Sequence, residues 1–213
     1  MICNSDNNHK QELKHLKMLC DYMVDGIFLS MAANSTEKEV EETINFLEDN
    51  KIPYCLIDRD MFDIGKYKIS VDHLQGAYLA TEHLIKLGHK KIGCITGPLI
   101  LDDARQRLAG YKQALKDNGI KIDENLIFEG DYSFEKGKIG CDNLLAKNIT
   151  AVFAANDFSA MGALASIKEH NLIVPRDISI VGYDDIAFCV IIRSSFDNSS
   201  STDRCNWAKG NRK

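Results

Sequence analysis

The chain has 213 residues, 26 Lys and Arg against 31 Asp and Glu, a net charge of −5, and 45% hydrophobic residues. That length and apolar content support a real core in one large domain or two small ones. They exclude a disordered or collagen-like chain and a protein that holds nucleic acid through bulk positive charge. No apolar run approaches the ~20 residues needed to span a bilayer. Met1-Ile2-Cys3-Asn4-Ser5-Asp6 has neither the basic nor the apolar stretch of a secretory signal, so a cytoplasmic protein with no membrane partner is expected.

Helix and strand signals alternate along the chain. Leu13, Leu16, Leu19 and Cys20 fall at helical spacing within 9–23, and 24–30 is a short apolar strand. Ser35 or Thr36 caps the next helix, with Glu39 placed for a capping box and Val40, Ile44 and Leu47 as its buried stripe. The run 52–58 is almost wholly apolar, which suits a parallel strand covered on both faces. Strands follow at 68–71, 91–96, 126–129, 150–154 and 178–182. Helices are predicted at 74–87, closed by Gly88, at 103–118, closed by Gly119, and at 134–146 and 158–170. Repeated β-α units imply an α/β fold of parallel sheets with right-handed crossovers.

The seven cysteines, at 3, 20, 55, 94, 141, 189 and 205, are odd in number and include no Cys-x-x-Cys pair. Cys55 and Cys94 read as small buried residues in strands, and neither a disulfide framework nor a metal site is expected. There is no Gly-x-Gly-x-x-Gly, no P-loop and no Gly-x-Ser-x-Gly, so neither a cofactor nor an enzymatic function is expected. His9 and His15 are six residues apart on a helix, the wrong spacing for a shared metal. His83, His89 and His170 fall on helices or helix ends, where solvated or capping roles are expected. Asp184-Asp185 lacks a nucleophile or metal to work with as an acid–base pair.

Ligands of open parallel sheets bind at the carboxyl ends of the strands, and here those ends are unusually polar. They carry Asp58-Arg59, Asp72, Asn156-Asp157 and Asp184-Asp185, with Arg105 and Arg107 following the 91–96 strand. Any one of these could be a helix cap, Asp103 and Asp157 above all; as a set they read better as one ligand site.

Six segments carry a resemblance. Val-Asp-Gly-Ile (24–27), Ile-Pro-Tyr-Cys-Leu-Ile-Asp-Arg (52–59) and Gly-Ala-Tyr-Leu-Ala-Thr-Glu-His-Leu-Ile-Lys-Leu-Gly-His-Lys-Lys-Ile-Gly (76–93) resemble the regulatory domain of lactose-repressor (LacI) family transcription regulators. So do Ala-Arg-Gln-Arg-Leu-Ala-Gly-Tyr (104–111), Ala-Val-Phe-Ala-Ala-Asn-Asp (151–157) and Val-Pro-Arg-Asp-Ile-Ser-Ile-Val-Gly-Tyr-Asp-Asp-Ile-Ala (174–187). The resemblance implies a fold like that of type I periplasmic sugar-binding proteins, with two doubly wound α/β subdomains around a cleft. The boundaries it implies are an incomplete first subdomain at 1–72 and a second at 73–188.

The resemblance also implies roles. Asp58 and Arg59 match an acidic and basic pair that grips sugar hydroxyls. Arg107 matches an effector-contacting arginine, Tyr132 an aromatic platform, and Asn156 and Asp184 the hydrogen-bonding residues of the second subdomain. The chemistry suits a sugar: carboxylates accept from hydroxyls, Arg donates through a planar fork, and an aromatic ring covers an apolar C–H face. The set is most like the ribose-type members, so the expected effector is a monosaccharide such as ribose. The intact relative is expected to bind operator DNA as a homodimer through an N-terminal helix-turn-helix, with effector binding coupled to DNA affinity. The alternative from another class is the sugar-binding protein of a transport system, which shares the fold.

Two departures stand out. The helix-turn-helix and the first β-α unit expected of the family are not in this sequence, and residues 1–4 resemble the end of the family's second strand. After residue 188 the resemblance stops, and 190–213 carry five basic and two acidic residues with five serines. Codons for 190–209 can be chosen so that reading one nucleotide later yields a Leu-Thr-Thr-Val-Arg-Gln-Pro segment like the one the family shows next. A frameshift just before Val190 is therefore expected, with 189–213 a disordered polar tail.

Overall fold

The computed structural model describes residues 1–32, 35–58 and 62–186. Arg59, Cys189, Cys205 and the tail 189–213 lie outside the described residues. The chain divides into two compact units, Met1–Val71 with Leu101–Asp103, and Asp72–Ile100 with Ala104 onward.

The first unit holds helices α1 (His9–Asp21) and α2 (Glu37–Asp49) and strands β1 (Ile27–Leu29), β2 (Tyr54–Ile57) and β3 (Lys68–Ile69). Each helix starts at a side-chain cap. Asn8 accepts from the Gln11 N–H, and Thr36 and Glu39 form the reciprocal capping box read from sequence. The strands pair in parallel in the order β1-β2-β3, with Phe28 opposite Cys55 and Ile57 opposite Ile69. Because side chains alternate across a strand, that register splits the sheet into two faces. Leu29, Tyr54 and Leu56 are buried, as are Leu16 of α1 and Val40, Ile44 and Leu47 of α2. On the opposite face Phe28 is 74% exposed, Ile69 60% and Ile57 39%. The expectation that 52–58 is covered on both faces therefore fails, and Cys55 is half-buried for the same reason. A near-continuous apolar run reports side-chain composition and carries no information on which face finds a partner.

The second unit is doubly wound. Its strands β4 (Ile92–Thr96), β5 (Ile127–Glu129), β6 (Ala151–Ala154) and β7 (Ser179–Val181) form a parallel sheet in the order β5-β4-β6-β7. A 3-10 turn, Glu124–Leu126, leads into β5. Helices α3 (His73–Lys86) and α4 (Asp102–Asp117) pack on one face, where Ala77, Leu84, Tyr111 and Leu115 meet Ile92, Cys94, Phe153 and Val181. Helices α5 (Phe134–Leu145) and α6 (Asp157–Glu169) pack on the other, where Cys141, Leu144, Ala163 and Ile167 meet Ile95, Val152 and Ile178. Gly88 and Gly119 follow α3 and α4 with φ of 95° and 68°, the left-handed geometry that ends a helix at glycine.

Two features of this unit position the loops above the sheet. First, α5 and α6 cross closely: a Cβ at Gly162 would lie 2.0 Å from the carbonyl oxygen of Phe134. Second, the chain passes from β4 outward to β5, then returns across β4 to β6 and on to β7. The switch in direction lies between β4 and β6, and in such sheets the crevice at that point, beyond the carboxyl ends of the strands, is where ligands bind.

Candidate functional site

Arg107 sits in the second turn of α4, over the carboxyl end of this sheet, and is only 6% exposed. A buried guanidinium must be paired to be tolerated, and this one is surrounded. Its Nη1 donates to the Ala155 carbonyl just beyond β6 and lies 3.6 Å from Asp184 Oδ1. Its Nε donates to His73 Nδ1 at 3.4 Å. Its Cζ lies 4.0 Å from the ring centroid of Tyr183 and 5.5 Å from that of Tyr132.

Asp184 follows β7, and its side chain is 36% exposed, so the carboxylate that faces Arg107 also reaches solvent. Tyr132 follows β5 with a φ of 68°, a backbone state that is uncommon for an aromatic residue and costs on the order of 1 kcal/mol. Two contacts hold it there. The Asn156 Nδ2 donates to the Tyr132 carbonyl at 3.0 Å, and the ring lies over Gly97, where a Cβ would come within 2.1 Å of the ring.

Four of the residues singled out from sequence, Arg107, Tyr132, Asn156 and Asp184, thus meet at one end of one sheet. Asn156 plays a structural part as well: it caps α6, its Oδ1 accepting from Ser159 N at 2.9 Å while its Nδ2 holds Tyr132. Asp157, expected as a cap, is the first residue of α6, fully buried, with its carboxylate accepting from the N–H groups of Tyr183 (3.0 Å) and Ile186 (2.8 Å). It fixes the loop that carries Asp184. Asp72 caps α3, accepting from Gln75 N at 2.8 Å, and Asp103 lies inside the first turn of α4. Arg105 points to the loop after β4, donating to the carbonyls of Leu99 (3.1 Å) and Ile100 (2.7 Å).

Asp58 belongs to the first unit. It follows β2 directly, half-buried, with a φ of 65° and its N–H donating to the Ile69 carbonyl at 2.8 Å. Arg59, its expected partner, lies outside the described residues.

Sequence reasoning passed over Tyr183 and His73 as functional residues, and it placed Asp157 among the polar strand ends without its part in holding the loop after β7. A signal for Tyr183 was present, since it is an aromatic residue directly before Asp184 at a strand end. His73 gave none, because its neighbours come from distant parts of the chain. His89, expected to be solvated or capping, instead bridges Thr150, just before β6, and Ser179 of β7: its Nδ1 lies 3.0 Å from Thr150 Oγ1 and its Nε2 2.9 Å from Ser179 Oγ.

The arrangement offers a part-exposed carboxylate as acceptor, a guanidinium as donor and an aromatic ring beside them, which is equipment for holding a small polyhydroxylated molecule. Among the described residues no group of three or more His, Cys, Asp and Glu is placed to hold a metal ion. Burial pushes the Cys94 thiol far above its ordinary value and that of Cys141 up to about 11, which keeps both as unreactive thiols.

Comparison with known proteins identifies the family to which the chain is similar. Residues 81–198 match the profile of the periplasmic binding protein-like domain family. An HTH-type transcriptional repressor PurR of Pasteurella multocida is 39% identical over 188 residues, covering 87% of this chain and 55% of that protein. A ribose operon repressor of Haemophilus influenzae is 35% identical over 188 residues, with the same shares of 87% and 55%. The chain thus spans about half the length of the curated relatives it matches. The crystal structure of a sugar-binding transcriptional regulator (LacI family) from Escherichia coli, complexed with phosphate, superposes with a TM-score of 0.71 at 30% identity, covering 86% of this chain and 65% of that one.

Proposed function

We propose, from the premise that this chain belongs to the periplasmic binding protein-like domain family as it occurs in LacI-family regulators, that it is the effector-sensing part of a transcriptional repressor. The effector is a monosaccharide of the ribose type. The observation that carries this reading is the buried Arg107 facing the part-exposed Asp184 beside Tyr132 at the carboxyl end of the second sheet. Asp184 accepts from sugar hydroxyls, Arg107 donates to them, and the Tyr132 ring offers an apolar face. Asn156 serves mainly by holding Tyr132 in place.

In the whole regulator, operator DNA is bound by a helix-turn-helix segment, the protein works as a cytoplasmic homodimer, and effector binding shifts DNA affinity. The chain's own part is binding without turnover. A sugar carrier of a transport system would share the fold. The regulator is favoured because both curated relatives described above are repressors.

A thermal-shift screen of pentoses and hexoses, with nucleobases as a planar-heterocycle control, tests the reading. Saturation at a hundred times the dissociation constant stabilises the folded state by about 2.7 kcal/mol. The expected result is a rise in melting temperature with D-ribose or a close relative that Arg107→Ala and Asp184→Ala each abolish. No shift with any sugar, or an unchanged shift in both variants, would overturn it. Conversion of the sugar during incubation would point to an enzyme.

A further inference from the structure

We propose that Tyr183 and His73 are positioning residues for Arg107: together they hold the guanidinium in the orientation that serves the effector, and they do so without touching the effector. This rests on the effector site proposed above. The ring of Tyr183 lies 4.0 Å from Cζ of Arg107, nearer than that of Tyr132 at 5.5 Å. Tyr183 is itself anchored, because its N–H donates to the buried Asp157 carboxylate at 3.0 Å. Its hydroxyl reaches both Nδ1 and the carbonyl of His73, each at 3.4 Å. His73 is 3% exposed, and the same Nδ1 lies 3.4 Å from Nε of Arg107. Arginine, tyrosine and histidine thus close a ring of contacts drawn from α4, the end of β7 and the start of α3.

The physical consequence concerns entropy. An arginine side chain has many rotamers, and a ligand that orders a loose guanidinium must offset the entropy so lost. A guanidinium already stacked and hydrogen-bonded has lost that freedom before binding, so the effector meets a fixed fork. One face of the Tyr183 ring lies against Arg107 and its hydroxyl reaches His73, the contacts through which Tyr183 would position the guanidinium.

Gly76 supplies a remote handle. A Cβ there would lie 2.3 Å from the Tyr183 hydroxyl oxygen and 2.9 Å from Cζ of the ring. Gly76→Ala therefore shifts Tyr183 while replacing a helix-interior glycine with the best helix former.

The test uses the full chain labelled with nitrogen-15. The Nε–H resonance of Arg107, identified by its loss in Arg107→Lys, is expected to be shielded by the Tyr183 ring and slow to exchange with water. Tyr183→Leu and Gly76→Ala should each remove the shielding, His73→Gln should speed the exchange, and Tyr183→Phe should keep the shielding. In D-ribose titrations read from the same spectra, Tyr183→Leu should bind about tenfold more weakly and Tyr183→Phe within about threefold of the parent. An Arg107 resonance with unchanged shift and exchange in both Tyr183→Leu and Gly76→Ala would overturn the proposal. If Tyr183→Leu fails to fold, Gly76→Ala and Tyr183→Phe decide it. Failure of D-ribose to bind the parent counts against the proposed effector, while the Arg107 resonance still decides the positioning role.

Discussion

Asp157→Ala should destabilise the second unit by about 3 kcal/mol and loosen the loop that bears Tyr183 and Asp184. The carboxylate is fully buried, and its two oxygens accept separate backbone N–H groups at 3.0 and 2.8 Å. A hydrogen bond to a charged group contributes about 1.5–3 kcal/mol, so the pair accounts for roughly 3–6. Two effects place the outcome at the low end. The Ile186 N–H lies in a partly exposed loop, where water can replace the lost acceptor. Deleting a buried carboxylate also removes the cost of having desolvated it. Asp157→Asn keeps one acceptor but turns an amide N–H₂ toward the other backbone donor, and should cost about half as much.

Urea unfolding followed by circular dichroism measures the loss. The amide resonances of α6 report the second unit separately, because a chain of two units need not unfold in one step. The thermal midpoint of that unit should fall by roughly 6–12 °C, at about 2–4 °C per kcal/mol for a protein of this size. A change within about 0.5 kcal/mol of the parent would refute the view that this carboxylate fixes the loop.

Two further outcomes follow from packing and charge. Gly162→Ala gains about 1 kcal/mol of helix propensity, but its Cβ would lie 2.0 Å from the Phe134 oxygen and 2.7 Å from the Lys138 nitrogen. Separating two packed helices costs about 1–3 kcal/mol or more, so the melting temperature should fall; a rise would show that α5 and α6 do not cross as closely as described. His89 bridges Thr150 and Ser179, and burial holds its pKa below the ordinary value. The unfolded chain therefore takes up this proton first as the pH drops. The stability His89 contributes is present above about pH 6.5 and is lost as the pH falls through the folded-state value. Urea midpoints at pH 7.5 and 5 should converge more in His89→Gln than in the parent, and an identical fall in both would exclude the effect.

The secondary structure was legible in one dimension because its causes are local. The stripe Val40, Ile44, Leu47 and the Thr36–Glu39 box lie within a few turns of each other, and helix α2 runs where they place it, Glu37–Asp49. Gly88 and Gly119 ended α3 and α4 for a backbone reason that needs no partner. The polar strand ends were legible for the same reason. Parallel β-α units send every strand's carboxyl end to one side of its sheet, so Arg107, Tyr132, Asn156 and Asp184 were bound to be neighbours if the elements were right.

The order of the elements and the side of the sheet on which the chemistry lies are thus written in the linear chain. Which distant groups those polar atoms meet was left to tertiary structure. Asn156 ties Ser159 to Tyr132 through the two ends of its amide, and the Asp157 carboxylate ties Tyr183 to Ile186. Tertiary structure decided that Tyr183 and His73, 110 residues apart, close around one guanidinium. It also decided that one face of the first sheet leaves Phe28 and Ile69 in solvent. The physical reason is common to all of these. Periodicity records how a residue sits relative to its own element, whereas hydrogen-bond saturation, stacking and coverage depend on which distant element arrives beside it.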